Sequence, residues 1–88
     1  MNKIGESSLK ARIHITLKNG VLDPQGKAVN NALETLGFRN VDQVRQGKYI
    51  EIDLIETDKN KAGSDVDSMC RQLLANTVIE DYHIEIID

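Results

Sequence analysis

From Leu9 to Lys18 apolar and polar residues alternate without a break, with Leu9, Ala11, Ile13, Ile15 and Leu17 at the odd positions and Lys10, Arg12, His14, Thr16 and Lys18 at the even ones. A period of two over this length predicts a strand with one buried face. Asn19-Gly20 stops it. Asn-Gly is a strong hairpin signal when a second alternating run follows, but here the chain continues as Val21-Leu22-Asp23-Pro24. Asp23 suits a helix N-cap and Pro24 the first helical position, where its missing N–H is not needed. Val29, Ala32, Leu33 and Leu36 then form one apolar stripe at helical spacing, with Lys27, Asn30, Asn31 and Glu34 off it. Gly37 supplies a left-handed C′ residue, and Phe38 beyond it is placed to fold back onto Leu33 in a Schellman ending.

Residues 41–46 carry Val41 and Val44 and predict a shorter strand, followed by a turn or bulge at Gln46-Gly47. Alternation returns from Lys48, with Ile50, Ile52 and Leu54 on one side and Tyr49, Glu51, Asp53 and Ile55 on the other. After the polar stretch 57–61, Ala62, Val66, Met69, Cys70, Leu73 and Thr77 recur with helical period, leaving Asp65, Asp67, Ser68 and Arg71 outside the stripe. Asn76 is the expected stop. Tyr82, Ile84 and Ile86 alternate with His83, Glu85 and Ile87 in a last strand.

Strand, helix, strand, strand, helix, strand is the βαββαβ order of a ferredoxin-like α+β two-layer sandwich, an antiparallel sheet with two helices on one face. The first strand is then central, between the third and the last, and the other sheet face is open. At 88 residues the chain makes one domain, assigned to residues 9–88, with residues 1–8 read as a flexible leader.

Charge refines this picture. Residues 1–48 carry a balance of +4 and residues 49–88 one of −7. On the open face the first strand presents Lys10, Arg12, His14 and Lys18, and its neighbours present Glu51, Asp53 and Glu85, so the asymmetry predicts a cross-strand match. The same face carries Tyr49, Ile55 and Ile87, and exposed apolar groups in one place mark an interface. Arg12, His14, Tyr49, Glu51, Ile55 and Ile87 are therefore the expected dimer face of a homodimer, with a tetramer as a further option.

Composition removes several functions. One Cys excludes an internal disulfide framework and any zinc site built on several cysteines. The absence of an apolar run of membrane-spanning length leads to the expectation of a soluble, cytoplasmic chain without a membrane partner. Cys70 lies on its helix's apolar stripe, where a core role outweighs a nucleophilic one with His14 or His83. Those two histidines lack a third metal ligand at suitable spacing, and Asp65 and Asp67 diverge on a helix. The stretch from Asn19-Gly20 through Gly26-Lys27 is only a faint version of a phosphate loop, and its Asp23 would repel an anion. Gly26, costly within a helix, implies a close neighbour. The strand centres hold Ile13, His14, Ile15 and Ile50, Glu51, Ile52 in place of stacking aromatics, which argues against nucleic acid. A non-catalytic module remains.

Three segments, KNGVLDPQGKAV (18–29), VRQGKYIEI (44–52) and LLANTVIEDYHIEI (73–86), resemble the PurS small-subunit family of phosphoribosylformylglycinamidine synthase. The resemblance runs from about Leu9 to the C-terminus. It implies a role in the fourth step of de novo purine synthesis, where formylglycinamide ribonucleotide, glutamine and ATP give the amidine. It further implies partnership with a PurQ-type glutaminase and a PurL-type synthase, with ATP and Mg used by the large subunit and no catalytic residue, cofactor or metal on this chain. Under it, Asn19, Gly20, Asp23, Gln25 and Lys27, together with Arg45, Gln46, Gly47 and Lys48, are the expected partner contacts. The alternatives are a freestanding ferredoxin-like regulatory domain binding a small effector and an acylphosphatase-type hydrolase, for which the anion loop is missing.

Overall fold

The structure, a computed structural model, describes residues 8–88; the first seven residues of the expected leader lie outside that range, and Ser8 is buried at the head of the first strand. The elements are β1 (Leu9–Leu17), α1 (Pro24–Thr35), β2 (Gly47–Leu54), α2 (Lys59–Met69), a π-turn (Cys70–Leu74) and β3 (Glu80–Ile87). The sheet is antiparallel with order β2-β1-β3, so the central place expected for the first strand is found.

Register follows from the alternation. Ile13 stands between Ile50 and Ile84, and Ala11 between Ile52 and Ile86, which puts every alternating apolar set on one face. There α2 lies over β1 and β3. Ile13, Ile15, Val66 and Cys70 are fully buried at the centre of this contact, each aliphatic side chain contributing about 2 kcal/mol by leaving water.

Both helix starts are capped by aspartate. Asp23 accepts from the Gly26 N–H, with Pro24 at the first helical position, and Asp58 accepts from Asn60 and Lys61 N–H inside what the sequence reads as a polar connection. The end of α1 is a Schellman motif: Gly37 has φ +102°, its N–H donates to Glu34 O, and the Phe38 N–H donates to Leu33 O at 2.9 Å.

Three expectations are corrected. Residues 41–46 join no ladder: their backbone runs beside the N-terminus of α1, and the outer edge of β2 is left open. Nor does α1 cover the sheet beside α2. Its only buried residue is Gly26, and it has no packed interface with either the sheet or α2. Finally, the second helix changes pitch at Cys70. The Ala75 N–H donates to Cys70 O across five residues, and this wider turn rotates Leu73 out to 82% exposure while Leu74 packs on the core.

Candidate functional site

The two segments expected to meet a partner are brought together by one carboxylate. Behind the Lys18–Val21 turn, where Gly20 takes φ +87°, Asp23 Oδ1 accepts the Gly26 N–H at 2.9 Å. Its Oδ2 accepts the Gln46 N–H at 3.0 Å, a residue 23 positions along the chain. The Arg45 guanidinium donates to the Leu17 carbonyl at the end of β1. Hydrogen bonds from the Gln46 and Gly26 amides, with the nearby Arg45 charge, hold the Asp23 carboxyl below the usual carboxylate range.

Close approach explains two glycines. A methyl group on Gly26 would sit 2.5 Å from both Val44 O and Asp23 Oδ2, which is the close neighbour that a glycine in this helix implies. A methyl on Gly47 would run into the Ile15 carbonyl. Asp23 forms the wall between two clefts. One, of about 450 Å³, is lined by residues including Gly20, Lys27 and Val44, and the other, of about 250 Å³, by residues including Gln25, Gln46, Gly47 and Lys48. Lys48 Nζ lies 3.8 Å from Glu80 across the second cleft. Asn19 is exposed on the preceding turn and lines neither cleft.

The expected dimer face is assembled on the opposite side of the sheet from α2. Arg12 stands between Glu51 and Glu85, His14 between Tyr49 and His83, and Lys10 between Asp53 and Ile87. The cross-strand charge match is present: Lys10 Nζ is 3.3 Å from Glu51 and 3.9 Å from Asp53, Arg12 is 3.9 Å from Glu85, and Lys18 is 2.8 Å from Asp81. Such exposed pairs each contribute a modest amount. The Tyr49 hydroxyl donates to Glu51 at 2.7 Å while its ring lies 4.8 Å from the His14 ring. That bond, then Lys10, lowers the Glu51 pKa, and the same bond raises that of Tyr49. Arg12 Nε is buried without a hydrogen-bond partner among the described residues. Ile87 shares the face, whereas Ile55 lies past the end of β2, 82% exposed.

Cys70 sits in the core beneath Ile13 and Ile15, and burial pushes its thiol pKa up. His14 is on the other sheet face, so the two do not form a nucleophile and base. No group of three or more His, Cys, Asp or Glu side chains among the described residues is arranged to hold a metal ion, and no helix there is long and apolar enough to cross a membrane.

Two features escape sequence reading. Asp67, outside its helix's apolar stripe, accepts from the Tyr82 hydroxyl at 2.6 Å and from Arg71 Nε at 2.8 Å, joining α2 to β3. The stripe of α1, which periodicity marks as a core face, is open: Val29, Leu36 and Phe38 are exposed, the last two at 72% and 56%, beside Leu22 at 76%. Helical spacing shows which face is apolar and does not show what covers it.

Residues 10–88 match the sequence family PurS, described as phosphoribosylformylglycinamidine (FGAM) synthase. The chain is 53% identical over 79 residues to the phosphoribosylformylglycinamidine synthase subunit PurS of Synechocystis, covering 90% of this chain and 79% of that one. Its fold is similar to the crystal structure of Methanocaldococcus jannaschii PurS, one of the subunits of formylglycinamide ribonucleotide amidotransferase in the purine biosynthetic pathway. The TM-score is 0.80 at 45% identity over 89% of this chain and 94% of that one. It is also similar to a chain in the structure of PurLQS from Thermotoga maritima, with TM-score 0.83 at 29% identity over 91% and 98% of the two chains.

Proposed function

This chain belongs to the PurS family of phosphoribosylformylglycinamidine synthase subunits, and on that premise we propose that it is the small subunit of a glutamine-dependent complex that makes the amidine of formylglycinamide ribonucleotide in purine biosynthesis. The observation that carries the reading is the match over nearly the whole described chain, together with likeness to a chain of a PurLQS assembly. The partners are a PurL-type synthase, a PurQ-type glutaminase and a second copy of the chain itself. ATP and Mg act on the large subunit, glutamine on the glutaminase, and the chain works in the cytoplasm without a cofactor of its own.

The geometry suits a joining role. Ammonia released from glutamine is lost if it mixes with bulk water, so a subunit that holds donor and acceptor sites in register contributes without reacting. Asp23 unites the Asn19–Lys27 and Arg45–Lys48 segments into one surface at the end of the sheet, and this surface is the contact proposed for the larger partners. The charge-matched sheet face and the open α1 stripe are the two surfaces available to a second copy.

The test is to mix the purified chain with PurL-type and PurQ-type subunits, glutamine and Mg-ATP or Mg-ADP, and to follow association by gel filtration and amidine formation by rate. The expected result is a complex whose glutamine-dependent activity needs this chain. Absence of both association and rate dependence under every nucleotide condition overturns the reading.

A further inference from the structure

A helix N-cap uses one acceptor oxygen. Asp23 uses two, and its second oxygen holds a backbone amide from a segment that is otherwise weakly tied. Among the described backbone–backbone hydrogen bonds outside helices and strands, none joins residues 39–46 to the rest of the chain. What fixes this connection is the Gln46 N–H on Asp23 Oδ2, the Arg45 guanidinium on Leu17 O, and the close seating of Val44 O over Gly26. Because α1 has no packed interface with the sheet, the same clasp also sets where α1 stands relative to β1 and β2.

We propose that Asp23 is a positioning residue for complex assembly: by holding the Gln46 amide with its second carboxylate oxygen, it fixes the Arg45–Lys48 turn and the start of α1 as one preformed partner-facing surface. This deepens the proposed function and rests on it. The energetic logic is preorganisation. A surface made of two segments that drift apart in the free chain must be ordered on binding, and that ordering weakens association. Asp23 does this ordering before the partner arrives.

Two substitutions separate the clasp from the cap. Asp23→Asn and Asp23→Ser are both good N-cap residues. Asn, however, offers an amide where Gln46 N–H needs an acceptor, and Ser has a single oxygen. Each variant is titrated into wild-type PurL-type and PurQ-type subunits, at a temperature where circular dichroism shows it folded, and the half-saturating concentration for glutamine-dependent amidine formation is read. Amide exchange at Gln46 is measured on the isolated chain.

The expected result is faster Gln46 exchange and a half-saturating concentration raised about tenfold or more in both variants, the weight of one hydrogen bond to a charged group. Wild-type half-saturation in both variants overturns the proposal and leaves the proposed function standing. Rescue by Ser, with Gln46 exchange as slow as in the wild type, also overturns it, because capping alone then suffices. If the wild-type chain itself supports no activity, the underlying function fails and the clasp's role in assembly falls with it.

Discussion

The Tyr82 hydroxyl donates to Asp67 Oδ1 at 2.6 Å and is the polar link between α2 and β3. The Tyr82 ring packs against the buried core while its oxygen reaches the helix. Arg71, one turn on, occupies the other Asp67 oxygen at 2.8 Å. Tyr82→Phe keeps the ring and removes the link, so the expected outcome is a melting temperature lower by a few degrees with an unchanged far-UV spectrum. An unchanged melting temperature would reduce the bond to a surface contact.

The same pair makes a pH prediction. The Tyr82 hydroxyl first, and Arg71 second, hold the Asp67 pKa below its ordinary value. Because the folded-state value is depressed, the stabilisation is present above the unfolded carboxylate pKa of about 4 and is lost as pH falls through the lower folded value. For Tyr82 the folded value is raised, chiefly by Asp67, so its stabilisation is full below about 10 and lost as pH rises through the folded value. Melting curves of wild type and Tyr82→Phe should therefore differ at neutral pH and draw together as pH falls below the unfolded carboxylate value of about 4. A constant difference across that range would count against the assignment.

Gly26→Ala is expected to destabilise the chain although Ala is the better helix former by about 1 kcal/mol. The added methyl meets Val44 O and Asp23 Oδ2, each at 2.5 Å, and one of these is backbone that cannot step aside without opening the clasp. A thermal melt decides the sign. Stabilisation would mean that the 41–46 connection yields freely.

Arg45 and Lys48 stand three residues apart in the candidate contact turn and differ in what they hold. Arg45 is bonded to Leu17 O, whereas Lys48 is exposed and reaches Glu80, at 3.8 Å. Arg45→Ala should lower both the melting temperature and partner affinity. Lys48→Ala should leave the melt unchanged and weaken assembly several-fold, as loss of a rim charge does. Equal assembly by the Lys48 variant would confine the turn to a structural role.

Where local pattern and tertiary contact coincide, the residues are legible. Leu9–Leu17 alternates because β1 is covered on one face and charge-paired on the other, so strand, register and the Arg12–Glu51 neighbours all follow from period two. Asp23, Pro24, Gly37 and Phe38 satisfy local backbone groups and are readable for that reason. Val41 and Val44, three apart, do not share a strand face, and their segment is held instead by a carboxylate from elsewhere, Asp23, and by its own Arg45 reaching the Leu17 carbonyl. Leu73 and Leu74 exchange places because the wider turn at Cys70 adds a residue to the period. Asp67 finds Tyr82 only once β3 is laid beside the helix.

The open stripe of α1 leads to the last prediction. Leu36 and Phe38 are exposed at the end of a helix with no packed partner, and half-buried Ile50, Ile52 and Leu54 lie on β2, where α2 does not reach. Apolar surface of this extent is covered in an assembly. The sheet face, by contrast, already has its charges paired within the chain. Leu36→Glu with Phe38→Glu is tolerated by the isolated fold, since neither side chain contributes to the buried core. Sedimentation of this double variant is expected to move from oligomer towards protomer, with circular dichroism unchanged. If it sediments as the wild type does, the second copy sits on the sheet face, and Tyr49→Glu, which sets a like charge beside Glu51 and Glu85, should then be the substitution that separates the protomers.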